Sequence, residues 1–71
     1  MKVYLLKTKG NGVVPDYIQV RDENHSIIGY FKASNIEKGL DEIRLYDPER
    51  RKTAREIFEK LEFGKMIQAE L

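Results

Sequence analysis

Apolar and polar residues alternate in short runs over the first half of the chain and take a helical spacing over part of the second. The run KVYLLK, residues 2–7, predicts a first strand. Residues 8–16, TKGNGVVPD, predict a loop, because Gly10, Asn11 and Gly12 permit unusual backbone angles and Pro15 has no N–H for a ladder. YIQVR (17–21) and IIGYFKA (27–33) predict a hairpin around the turn DENHS. Asp22, Glu23 and Asn24 suit a type I turn, and the left-handed position that follows falls on His25. Apolar groups on both faces of IIGYF predict a central strand covered on both sides. In SNIEKG (34–39), Ser34 and Glu37 have the spacing of a capping box, with Gly39 as the stop of a short helical turn. DEIRLY (41–46) sets Ile43 and Leu45 against Arg44 and Tyr46, which predicts a fourth strand.

Asp47 followed by Pro48 is a helix start, with an N-cap side chain and a first helical residue that needs no donor. From there Ala54, Ile57, Phe58 and Leu61 follow the i, i+3, i+4, i+7 rule and form a stripe for the sheet. The helix is expected to reach Glu62 or Phe63 and to stop at Gly64. KMIQAEL (65–71) predicts a last strand, with Ile67, Ala69 and Leu71 on one face. The order β-β-β-(short helix)-β-α-β, about five strands, defines a single α+β domain over residues 1–71: a mainly antiparallel sheet with one amphipathic helix packed on it.

Length and composition narrow what such a domain can do. A chain of 71 residues buries only about 60% of its unfolded surface, so its margin of stability is small. With no Cys there is no disulfide and no thiolate metal site, and a single His cannot form a His cluster. No cofactor is expected. Self-association is the support that remains. The opening apolar run VYLL is too short for a signal peptide or a membrane span. The expectation is an intracellular, cytoplasmic protein with no membrane partner. Lys and Arg total 13 against 12 Asp and Glu, and neither half of the chain is a charged tail.

Candidate chemistry is sparse. Arg50, Arg51 and Lys52 crowd the first turn of the long helix, where cations are mildly unfavourable. Lys52–Glu56, Glu56–Lys60 and Arg55–Glu59 are spaced to pair along the helix. Arg50 and Arg51 have no such partner, and the expectation is that they bridge to Asp41, Glu42 or another subunit. The competing reading is an anion or nucleic-acid site made by Arg50, Arg51 and Lys52, with Lys7, Lys9 and Lys32 in support. KTKGNG (7–12) has two lysines and two glycines but not the phosphate-loop pattern. His25 sits at a turn tip with no pocket around it, and the pairs Asp22–Glu23 and Asp41–Glu42 point apart. Tyr4, Tyr17, Tyr30, Phe31 and Tyr46 fall on predicted strands. With Lys7, Arg21, Lys32 and Arg44 they have the composition of a base-stacking platform, but core and cross-strand packing is the expected role.

The functional expectation is a non-catalytic protein-interaction module that self-associates, as a homodimer or with another protein. The alternative is nucleic-acid binding through the basic start of the long helix.

Overall fold

The computed structural model describes all 71 residues. Four strands, β1 (Lys2–Thr8), β2 (Tyr17–Arg21), β3 (Ile27–Lys32) and β4 (Ile67–Glu70), form one antiparallel sheet. Helices α1 (Ile36–Glu42) and α2 (Pro48–Glu59) connect β3 to β4. The order across the sheet is β3-β2-β1-β4. The fold is the expected α+β domain, with four strands in place of five. Alternation along the strands sends Val3, Leu5, Ile18, Val20 and Phe31 into the core, where they meet Leu40 of α1 and Ala54 and Phe58 of α2. The rings of Phe31 and Phe58 meet edge to face at 5.5 Å.

The hairpin forms as the sequence predicts. The Asp22 carboxylate accepts the amides of Asn24 at 2.8 Å and Ser26 at 3.0 Å. His25 donates its N–H to the Asp22 carbonyl and takes φ +64°, the left-handed position. The covered central strand is not observed. β3 is an edge strand with Tyr30 and Ile27 exposed. A register shift between Val20 and Arg21 places Ile27 opposite Arg21 and Gly29 opposite Val20. This bulge breaks the alternation of IIGYF, and its second apolar face is surface.

The segment predicted as a fourth strand is instead the end of α1. Helix α1 starts one residue later than predicted: Asn35, not Ser34, is the N-cap, and its side chain accepts the Lys38 amide. Gly39 lies inside the helix, which runs on to Glu42. Beyond it, Leu45 N–H donates to the Leu40 carbonyl and Arg44 N–H to the Asp41 carbonyl, both at 3.0 Å. This pair of bonds is a Schellman closure, and it requires a left-handed residue at Arg44, whose φ is +58°. Ile43 and Leu45 are both buried because the closure turns them inward, not because they alternate on a strand. A left-handed L-residue costs about 1–2 kcal/mol, and glycine's extra freedom in the unfolded chain offsets about half of that. Arg44→Gly is therefore expected to stabilise the domain by about 0.5–1 kcal/mol. A urea midpoint that falls for this variant would count against the assignment.

Helix α2 opens as predicted, with Asp47 Oδ2 accepting the Arg50 amide at 2.9 Å and Pro48 as its first residue. It ends at Glu59 with Lys60 as C-cap, earlier than Glu62 or Phe63. Leu61 still reaches the core. Gly64, with φ +73°, serves the following loop, where its N–H donates to the Lys7 carbonyl at 2.8 Å. No helix is long and apolar enough to cross a membrane.

Candidate functional site

The two edges of the sheet differ. On β3, the Tyr30 amide donates to Glu42 Oε1 at 2.9 Å, so a carboxylate from α1 occupies the middle of that edge. On β4 there is β1 on one side and no strand on the other. Leu71 N–H bonds to the Met1 carbonyl at 2.7 Å. By alternation, the backbone groups of Gln68 and Glu70 point away from β1. Next to this edge Phe63 and Met66 are exposed. A cleft of about 330 Å³ between β4 and the start of α2 is lined by Glu49, Arg50, Thr53, Glu70 and Leu71. The Met1 amino group donates to Glu70 Oε1 at 2.7 Å and holds that carboxyl below its ordinary range. A carboxylate lowered in this way adds stability above its unfolded pKa and loses it as pH falls through the folded one.

The two arginines at the start of α2 are spent within the fold. Arg51 is the best connected: its guanidinium reaches Asp41 at 3.0 Å, the Leu45 carbonyl at 2.9 Å and Glu37 at 3.4 Å. It holds the end of α1 and the Schellman closure against α2. Arg50 donates to the Leu71 carbonyl at 2.8 Å and so ties α2 to the end of the chain. The bridge to Asp41 is the one the sequence suggested. Glu42 serves the Tyr30 amide instead. The helix-surface pairs do not form: Arg55 turns to Glu37 at 2.6 Å, and neither Lys52 nor Lys60 is in an ion pair. Of the three cations, only Lys52 has no partner within the chain. Glu37, expected in a capping box, is the shared acceptor of Arg51 and Arg55.

The supporting lysines lie elsewhere. Lys7 and Lys9 place their ammonium groups 4.7 and 5.9 Å from the centre of the Phe63 ring. Lys32 sits opposite Tyr17 across β2 and β3. These three are at the end of the sheet opposite to Arg50 and Leu71. Sequence reasoning grouped six cations, and the fold separates them into two sets of three.

The remaining candidates also divide. Tyr4, Tyr17 and Tyr30 are on the face of the sheet away from the helices, where Tyr17 stacks on Tyr30 at 4.6 Å and Tyr4 on His25 at 4.5 Å. Phe31 is in the core, and Tyr46 is exposed beyond α1. Arg21 donates to Gln19 Oε1 at 3.1 Å and to the His25 carbonyl at 3.4 Å. His25 is exposed, with a ring as its neighbour and no nucleophile or orienting carboxylate bonded to its side chain. No group of three or more acidic or imidazole side chains has the spacing to hold a metal. Within KTKGNG the Gly10 amide is taken by Asp16 Oδ1 at 2.7 Å. The open β4 edge is a feature the alternation of MIQAEL did not reveal, since the sequence does not state strand order.

These elements define a small antiparallel α+β domain with one capped and one open sheet edge. Comparison of the chain with protein-family models, with curated proteins and with solved structures finds no match.

Proposed function

We propose that this chain is a non-catalytic interaction module that pairs with a second copy of itself through β4, and that it works in the cytoplasm. The observation that carries the reading is the inequality of the sheet edges: Glu42 occupies β3, and nothing in the chain occupies β4. Exposed strand edges add strands readily.

The sequence of β4 suits a copy of itself. An antiparallel pair centred on Gln68 keeps each face matched: Ile67 lies opposite Ala69 of the second copy, so half-buried apolar groups meet on the core side. The basic start of the segment then meets the acidic end. Lys65 of the second copy falls opposite Leu71, beside the cleft that holds Glu49 and Glu70. A pairing of four-residue strands buries less than the standard interface of about 1,600 Å². The association is accordingly expected in the micromolar range.

Light scattering at tens of micromolar is expected to give a dimer mass for the wild type and a monomer mass for Gln68→Pro. Proline at this position removes an N–H that points away from β1 and leaves the β1 ladder in place. Gln68→Lys, which sets two ammonium groups face to face at the dyad, is expected to do the same. A monomeric wild type, or a Gln68→Pro variant that stays dimeric with a native circular dichroism spectrum, would sink the reading. Nucleic-acid binding at the start of α2 has less support, because Arg50 and Arg51 already hold partners.

A further inference from the structure

The end of the sheet far from Arg50 gathers charge that the fold does not use. Four of the eight lysines, Lys7, Lys9, Lys32 and Lys38, are on or beside this end. None of them is in an ion pair; the side-chain bridges of the molecule belong to Arg51 and Arg55. Aromatic rings lie between the lysines. On one side, Lys32 and Lys38 flank a cleft of about 340 Å³ whose other walls include Tyr17, Tyr30 and Asn35. On the other side, Lys7 and Lys9 share the exposed ring of Phe63. Two ammonium groups that face one ring without a carboxylate between them repel each other, and an anion placed there relieves both.

The geometry suits a chain of linked anions better than one. Neighbouring strands are about 4.8 Å apart, so Lys32 on β3 and the end of β1 are separated by about 10 Å. The two lysine pairs are therefore distinct sites: Lys7, opposite Ile18, is on the helix side of the sheet, and Lys32 and Tyr17 are on the other face in the row Lys32–Tyr17–Thr8, so a ligand that reaches both passes around the end of the sheet. Tyr17 and Tyr30 are nearly parallel, 14° apart, and Tyr30 is half exposed beside the cleft. A polymer with regularly spaced negative charges and flat rings between them matches each part of this end of the sheet.

We infer that the lysine end of the sheet binds single-stranded nucleic acid, with phosphates on Lys32 and Lys38 and on Lys7 and Lys9, and a base stacked at Tyr17 and Tyr30. Unpaired bases are required because a ring inside a duplex cannot join a side-chain stack. No helix is available to enter a duplex groove here, and the arginines at the start of α2 are occupied at the opposite end. Phe63 adjoins the β4 edge, but the cleft of Tyr17, Tyr30, Lys32 and Lys38 is at the other edge of the sheet, so loss of pairing in Gln68→Pro and loss of binding in Lys32→Gln/Lys38→Gln are read separately.

The test is fluorescence anisotropy with labelled single-stranded oligonucleotides of about ten residues, within the usual site sizes for such domains, and with the matching duplex. Four lysine–phosphate contacts predict a salt slope of about −2.8, so affinity should fall about 50-fold between 50 and 200 mM salt. Lys32→Gln/Lys38→Gln should reduce that slope by about 1.4. Tyr30→Leu should weaken binding about fivefold or more and leave the slope unchanged. Lys52→Gln, at the other end, should change neither. If Tyr30→Leu does not fold, the exposed lysine pair still decides the slope. Absence of binding at 50 mM salt would overturn the inference. So would duplex binding as tight as single-strand binding, or displacement of the oligonucleotide by polyglutamate of equal charge with Tyr30→Leu silent, since either outcome describes a general anion surface.

Discussion

Phe58→Ala is expected to destabilise the domain by about 3–5 kcal/mol, the usual cost of emptying a buried aromatic site. Phe58 is fully buried and, with Phe31, is one of the two largest side chains in the core. Its edge-to-face contact with Phe31 joins α2 to β3, and Phe31 in turn carries α1. The cavity would therefore open where both helices and the sheet meet. Domains of about 70 residues have total stabilities of roughly 4–11 kcal/mol at the usual 0.05–0.15 kcal/mol per residue. The variant should accordingly lose a large share of that stability, with a thermal transition by circular dichroism lowered by at least about 12 °C at the usual 4–8 °C per kcal/mol. A loss below about 1 kcal/mol would mean that the core can close over the gap.

Gly39→Ala is expected to destabilise by about 1–3 kcal/mol, against the ordinary trend. Within a helix, alanine is better than glycine by about 1 kcal/mol. Here an added Cβ would come within 2.3–2.4 Å of three atoms of the Phe31 ring. That ring is 2% exposed and is held from behind by Phe58, so it has nowhere to turn. Overpacking then outweighs propensity. Urea denaturation gives the sign directly, and a stabilised variant would show that α1 can lift from β3 without cost. In the Phe31→Leu background the penalty should shrink, because the ring atoms that oppose the Cβ are gone, and a double-mutant cycle reads the coupling.

Gly39 also shows what was and was not legible in the sequence. A glycine after a short capped turn is a stop signal by local rules, and those rules contain nothing about a ring approaching from another strand. The same limit explains residues 41–46. Ile43 and Leu45 alternate over only a few positions, and a Schellman closure buries the same two positions as a strand does. Arg44 hides the closure further, because glycine is the usual residue there. Where local chemistry is complete, the reading holds: the Asp22 turn with His25 left-handed, the Asp47–Pro48 start, and the Ala54–Phe58–Leu61 stripe all form. The bulge at Val20–Arg21 accounts for the misplacement of β3, since one shifted residue exchanges the faces of everything beyond it.

For the candidate sites the division is similar. That Arg51 bridges Asp41 could be anticipated from charge. That Arg51 also ties down the Leu45 carbonyl could not, because the carbonyl is freed only by the unforeseen turn. Lys7, Lys9 and Lys32 were nameable, but their separation from Arg50 follows from strand order. Lys38 carries no local signal of its own, and Tyr30 becomes its neighbour across the cleft only once α1 folds back along β3.

The Glu42 carboxylate on the Tyr30 amide has a consequence for how large an assembly can grow. A sheet with two free sides can recruit copies without end, and its product is a filament. With one side stoppered by a side chain, the proposed addition through β4 would consume the sole remaining template and terminate at two. Removing Glu42 withdraws that stopper, so under the proposed pairing the residue that finishes a helix also sets a ceiling on polymerisation.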